Sequence, residues 1–270
     1  MDKRLNDMIY DTLEERTQYY KDPKIQQKIA YNCRYREVVI IKKPPERRPI
    51  VVRPLKIFKP EHFDFWFRRL HLDRTEFDIY ISNASVKLPP LPNNLNQLKE
   101  AQKMLIQQWE DIMTGYDLFV DIDPRTPDDE ELCLSWAKKI KYLLQRGGFG
   151  KKQPIEIWKT GSGGVHLILK GRFYPELCDS IITEICCHAK LPMRRPFKIE
   201  NGKKYIAQDG KWVEYNGKNM PIIEKPFVDN TIYDSRRIRR VPYSIHSKTG
   251  RPMTPFIDDT HPPWRKSGVV

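Results

Sequence analysis

The sequence contains no apolar run approaching the ~18–20 residues that a membrane-spanning helix needs. Its opening, MDKRLNDMIYDT, has no apolar core of the kind a secretory leader carries. Cysteine is scarce: five residues, Cys33, Cys133, Cys178, Cys186 and Cys187, odd in number and without a repeated C-x-x-C. A disulfide framework is therefore not expected. Cys186, Cys187 and His188 are adjacent, but they fall in the helical pattern Leu177 to Ala189. Neighbours on a helix diverge by about 100°, so zinc is not expected there. Neither a Walker A loop nor a dinucleotide fingerprint occurs, and there are no internal repeats or low-complexity tracts. These absences set aside membrane-spanning, disulfide-scaffold and P-loop classes. They point to an intracellular, cytoplasmic protein without a membrane partner. Acidic residues are also in deficit, 35 against 48 Lys+Arg, for a net charge of +13. Such a field attracts polyanions, nucleic acid among them.

Strand and helix patterns mix without regular βαβ spacing, which predicts an α+β fold. Residues 1–32 read as helical and Arg36 to Ile41 as a strand. Lys42 to Pro54, with four prolines and five basic residues, reads as a loop or arm. Phe63 to Leu70 reads as a short helix, Phe77 to Ser82 as an alternating strand, and Leu88 to Leu91 as a breaker. Leu95 to Met113 has the spacing of one amphipathic helix, with Leu98, Ala101, Met104, Leu105, Trp109 and Ile112 on its stripe. A second helix starts from Thr126 and Pro127, buries Leu132, Trp136, Ile140, Leu143 and Leu144, and stops at Gly147 and Gly148. Ile155 to Trp158 and Val165 to Leu169 read as strands. Residues 197–223, broken by three N-G or D-G turns, read as a small β insertion. The whole is expected to form one domain over residues 1–270.

Three constellations carry chemistry. The first lies in Tyr116 to Pro124, YDLFVDIDP. Alternation along this strand puts Asp121 and Asp123 on one face and Val120 and Ile122 on the other. Two adjacent carboxylates repel, and a hard divalent cation relieves that cost. The second is Lys159 to His166, KTGSGGVH, where three glycines open backbone N–H groups to an anion and Lys159, Thr160, Ser162 and His166 add donors. The third is Asp229 to Gly250. Arg236, Arg237, Arg239 and Arg240 form a dense cluster, and Arg240, Ser244, His246 and Lys248 share parity. In an extended chain that row would face one side and suit triphosphate oxygens. Each has a plain structural alternative: solvated acids, a tight hairpin turn, and a charged edge strand.

Taken in order, DxD, a small-residue turn ending in His, and Asp followed by RRVPYSIHSKTG resemble the archaeo-eukaryotic primase superfamily, most of all the small, catalytic subunit of archaeal DNA primases. The resemblance spans most of the chain, with Tyr19, Tyr20 and Arg36-Glu37 matching the N-terminal signature. It implies a primase-type core with an RRM-like palm. Asp121 and Asp123 would be two of three ligands of a Mg²⁺ or Mn²⁺ pair, with Asp229 as the third and Asp234 its rival. Arg36, Asp78, Thr160, His166, Arg240 and His246 would lie at the nucleotide. The implied activity is DNA-templated nucleotidyl transfer on a primer and single-stranded template from NTPs or dNTPs, with a separate large subunit or a helicase as a further partner, in a nucleoid-associated setting.

Two features depart from the pattern. Ser162 and Gly163 stand where arginines are common in primase subunits, and Cys133 alone occupies the region of their zinc knuckle. In both respects the chain looks more like the repair polymerases of bacterial end joining, so initiation and extension both stay open. Template phosphates are expected at Lys42, Lys43, Arg47, Arg48 and Arg53, with Trp66 or Trp212 as stacking candidates. A nucleic-acid-binding scaffold with a degenerate site and a metal-dependent nuclease are the competing classes.

Overall fold

The computed structural model describes residues 8–91, 94–193, 197–200, 203–208, 211–214, 227–229 and 237–257. Two helices open it, α1 (Leu13–Lys21) and α2 (Pro23–Cys33). Thr12 and Glu15 form a reciprocal cap on α1, and Asp22 caps α2 ahead of Pro23. A four-stranded antiparallel sheet follows, built from β1 (Val38–Lys43), β2 (Ile50–Leu55), β3 (Glu76–Ser82) and β12 (Ile238–Arg240), in the order β12-β3-β1-β2. The helix α3 (Pro60–Arg69) lies between β2 and β3 in the chain.

The central sheet runs β11 (Phe227–Asp229), β5 (Met113–Asp123), β7 (Val165–Phe173), β6 (Glu156–Lys159) and β13 (Thr254–Pro255), with β4 (Ala84–Val86) also paired to β5. Its ladders are antiparallel. The helices α6 (Glu130–Arg146) and α7 (Pro175–Ala189) cover one face. Leu118, Val120 and Ile122 join Cys133, Ala137, Ile140 and Cys178 in the core beneath them. The opposite face contributes Phe119, Trp158 and Ile168 to a second core shared with Tyr20, Phe63, Val38, Ile79 and Ile81. The sheet is thus sandwiched, and the two parities of β5 belong to different cores. β8 (Phe197–Glu200), β9 (Lys203–Gln208) and β10 (Lys211–Glu214) form a separate antiparallel meander, as the turn-broken sequence predicts; residues 215–226 lie outside the described ones.

The α+β class is observed, with four local corrections. Lys42 to Pro54 is no simple arm, because β2 occupies Ile50 to Leu55 and pairs with β1. Pro54 misleads because β2 is an edge strand, where a missing N–H is tolerated. The helix expected over Leu95 to Met113 divides into α4 (Leu95–Gln107) and α5 (Trp109–Ile112). Met104 is exposed rather than on the stripe. Leu132 is likewise exposed, and Cys133, Leu134 and Ala137 take the inner face of α6. Cys186 is buried and Cys187 exposed, so the pair points apart as helical geometry requires. Among the described residues, no helix is long and apolar enough to cross a membrane.

Candidate active site

Asp121 sits at the centre of the ladder, paired with Asp229 of β11 on one side and with His166 of β7 on the other. His166 is in turn paired with Trp158 of β6. Residues directly opposite in an antiparallel ladder project from the same face, with Cβ atoms about 4.5–5.5 Å apart. Asp229, Asp121, His166 and Trp158 therefore form one row across four strands. Asp123, two residues beyond Asp121 and opposite Phe227, extends the same face. Asp229 is buried, while Asp121 and Asp123 are partly exposed. Asp234, the rival third acid, lies outside the described residues, as do Arg236 and the side chain of Trp212.

The oxygen-only donor set Asp121, Asp123 and Asp229 fits a hard divalent cation. Among the described residues no three His, Cys, Asp or Glu side chains converge as a ready-made ligand cluster. What the fold supplies is the register of three carboxylates on one face.

His166 is 6% exposed, and its Nε2 lies 3.5 Å from Asp121 Oδ1. Burial, reinforced by the Arg239 and Arg240 guanidinium groups, pushes its pKa down to about 3. The imidazole is therefore neutral at pH 7 and can donate from one nitrogen only. Its ring meets Phe119 edge-on at 4.8 Å, and among the described residues its buried Nδ1 has no hydrogen-bond partner.

The glycine turn is shaped by close approach. Gly161 and Gly163 have φ of 80° and 89°, and a Cβ at Gly163 would come within 2.7 Å of Pro127 Cα. The Thr160 hydroxyl donates to Gly164 O at 3.0 Å and lies 2.9 Å from Ser162 Oγ. Thr249 ties this turn to the C-terminal loop: its hydroxyl donates to Gly161 O at 2.7 Å and lies 3.2 Å from His246 Nδ1. Ser162 and His246 remain partly exposed and Lys248 exposed. Burial, followed by Arg240, lowers the His246 pKa to about 4.

Four expected nucleotide contacts need correction. Lys159 follows Trp158 by one residue and so faces the helical layer, where its Nζ pairs with Glu130 of α6 at 2.6 Å. Arg240 is buried and donates to Asp78 Oδ1 at 2.7 Å. Asp78 is itself buried, paired with Lys43 as well, and accepts from the Ser247 backbone and hydroxyl. Burial alone would raise the Asp78 pKa, but Arg240 and Lys43 outweigh it and hold the carboxyl well below the usual range. Arg36 turns inward to Asp117 Oδ2 at 2.7 Å. Three of these groups, Arg36, Asp78 and Arg240, build the wall behind the site rather than its surface.

The extended row from Arg240 to Lys248 is also absent. Tyr243 takes a left-handed backbone, φ 68°, and Ser244 N–H closes a turn on Val241 O. Ser244 is fully buried, its hydroxyl donating to the same carbonyl at 2.7 Å. A second turn closes from Gly250 N–H to His246 O. Trp66 is buried in the core and packs rather than stacks.

Asp117 escaped the sequence reading. It is fully buried and accepts from both Arg36 and Arg239 at 2.7 Å, while Arg239 also donates to Asn83. Burial opposes its charge, but Arg239 and Arg36 prevail and its pKa is lowered. The signal was parity: Asp117 precedes Asp121 by four residues on the same face of β5. The ion pairs fasten β12 and the turn between α2 and β1 to β5, and so fix the frame of the acid row.

No family model, no curated protein and no solved structure matches this chain.

Proposed function

We propose that this chain is a DNA-templated nucleotidyltransferase of the archaeo-eukaryotic primase type, adding nucleotides from nucleoside triphosphates to a primer. The observation that carries the reading is the register of Asp229, Asp121 and His166 on three neighbouring strands, with Asp123 on the same face. Asp121, Asp123 and Asp229 would hold Mg²⁺ or Mn²⁺. Two such ions, when bound, supply the positive charge that a primer 3′-OH and a departing pyrophosphate require.

The rest is the work of the protein's own groups. Neutral His166 orients Asp121 and adds no charge to compete with a cation. Ser162, His246 and Lys248, at the rim where the glycine turn meets the C-terminal loop, are the groups left to contact a triphosphate. Thr249 holds turn and loop together. Arg239 and Arg240, buried behind the site, contribute a positive field that favours an anionic substrate without direct contact.

The engagement of Lys159 and Arg240 in internal pairs favours a second reading, a nucleic-acid-binding scaffold without catalysis. It leaves the three acids in register unexplained. Primer extension with Mn²⁺ separates the two readings: Asp121→Ala combined with Asp123→Ala should abolish extension, and retained extension would overturn the proposed activity.

A further inference from the structure

A pocket of about 460 Å³ opens between the end of α2, the segment after β2 and the segment after β4. Ile57, Val86 and Leu88 give it a buried apolar floor. Its rim carries Arg34, Lys56, Lys59 and Lys87 together with Tyr35 and Phe58, and among the described residues no carboxylate lines it. Among the described residues none of these four cations is paired with an acid; Lys56 Nζ donates to Leu88 O at 3.4 Å and lies 5.7 Å from the Phe58 ring centre. Three separate chain segments thus deliver unpaired positive charge to one concavity.

Tyr35 is the distinctive residue. The residue is 79% exposed, and its backbone adopts φ 58°, a conformation that bulky side chains rarely take. Strain of this kind persists where the surroundings impose it, and it clusters at binding sites. Here the surroundings are visible, since Tyr35 O accepts from Val86 N at 2.7 Å and locks the rim to β4. The aromatic path continues beyond the pocket. Tyr31, also exposed, has Arg34 at 5.5 Å and Lys170 at 5.3 Å from its ring centre.

We infer that this pocket holds an unpaired nucleotide of a single nucleic-acid strand, its base against Tyr35 and Phe58 and its flanking phosphates on Arg34, Lys56, Lys59 and Lys87. Exposed aromatics interleaved with cations are the arrangement that single strands use, because every base offers a face for stacking and every linkage a charge. The continuation past Arg34 to Tyr31 and Lys170 suits a strand that extends beyond the pocket, rather than one free nucleotide. The inference deepens the proposed function by naming where the template strand docks. The pocket is distinct from the acid row: its wall residue Arg36 reaches Asp117, which stands four residues, or about 13 Å of strand, from Asp121.

Binding of a fluorescent twelve-nucleotide oligo-dT to the full chain, read by anisotropy, tests it. Tyr35→Ala should weaken binding by about tenfold, with Tyr35→Trp restoring it. Lys59→Glu combined with Lys87→Glu should weaken it further and reduce the slope of log K against log salt by about 1.4. Lys151→Glu combined with Lys152→Glu, the same charge change elsewhere on the surface, should cost less than half of that loss in affinity. Circular dichroism and thermal melting confirm that each variant is folded. Affinity within twofold of the unaltered protein in folded Tyr35→Ala would overturn the inference. So would dTTP binding as tightly as the oligonucleotide and losing its affinity in Tyr35→Ala, which would make the pocket a free-nucleotide site. The variant Asp121→Ala with Asp123→Ala should keep oligonucleotide affinity, so a failure of catalysis and a failure of the pocket are read separately.

Discussion

Asp229 lies directly opposite Asp121 across the β11–β5 ladder, with His166 opposite Asp121 on the other side. This relationship joins residues 108 positions apart in sequence, and it makes one face of the central sheet acidic at a single level. Three carboxylates on that face offer an oxygen-only donor set of the kind a hard divalent cation takes.

The frame behind that face rests on Asp117. Asp117→Asn would leave Arg36 and Arg239, both buried, sharing a neutral partner. Breaking a buried pair of this kind costs about 3–5 kcal/mol. Urea unfolding should show a loss of that size, and a loss below about 1 kcal/mol would mean that the triad does not hold the two sheets.

The histidine of the C-terminal loop gives a pH signature. Burial and Arg240 hold the His246 pKa near 4 in the folded protein, against an ordinary value of about 6.5. The unfolded chain therefore binds the proton more readily between these values. By linkage, this contribution to stability is present above pH 6.5 and is lost as the pH falls toward 4. Urea midpoints of His246→Gln should fall less steeply over that window than those of the unaltered protein. Parallel curves would contradict the assignment.

Lys159 offers a prediction against the sequence pattern. Its ammonium group is committed to Glu130 on the helical side of the sheet. Lys159→Met should change the Kd for a nucleoside triphosphate with Mn²⁺ by less than about twofold and lower stability by about 0–1 kcal/mol. A tenfold loss of nucleotide affinity would place Lys159 at the phosphates after all.

The glycine turn should tolerate little. Gly163→Ala combines a left-handed backbone with a Cβ pressed on Pro127. The conformation alone costs roughly 1–2 kcal/mol and the clash adds to it. A thermal melt unchanged within 1 °C would show that the turn is looser than its contacts imply.

Some of this was legible in the sequence. Alternation in YDLFVDIDP placed Asp121 and Asp123 on one face because the strand has a period of two and a core on each side. Thr126 and Pro127 marked the approach to α6: Pro127 to Asp129 form one 3-10 turn, and α6 starts at Glu130. What failed were inferences about which partner a charge would choose. Asp78 claims Arg240 from 162 residues away, and Glu130 claims Lys159 from the far face. Local spacing carries no information about such pairs. The parity of Arg240, Ser244, His246 and Lys248 was lost for a different reason: Pro242 and left-handed Tyr243 begin a turn, and a turn resets which side each residue faces. Asp117 was within reach, since it shares the parity of Asp121, but a lone acid among the apolar residues of a strand gives no sign of two arginines arriving from β12 and the turn after α2.

The most direct test is nucleotide incorporation on a primed DNA template with Mn²⁺, comparing Asp229→Asn with Asp234→Asn. Loss of an outer partner of a metal site costs about 10–100-fold, so removal of a ligand should cost more. Asp229→Asn should lower the rate by more than about a hundredfold, and Asp234→Asn should stay within about tenfold of the unaltered protein. A folded Asp229→Asn variant that extends the primer at a near-normal rate would rule out Asp229 as a metal ligand.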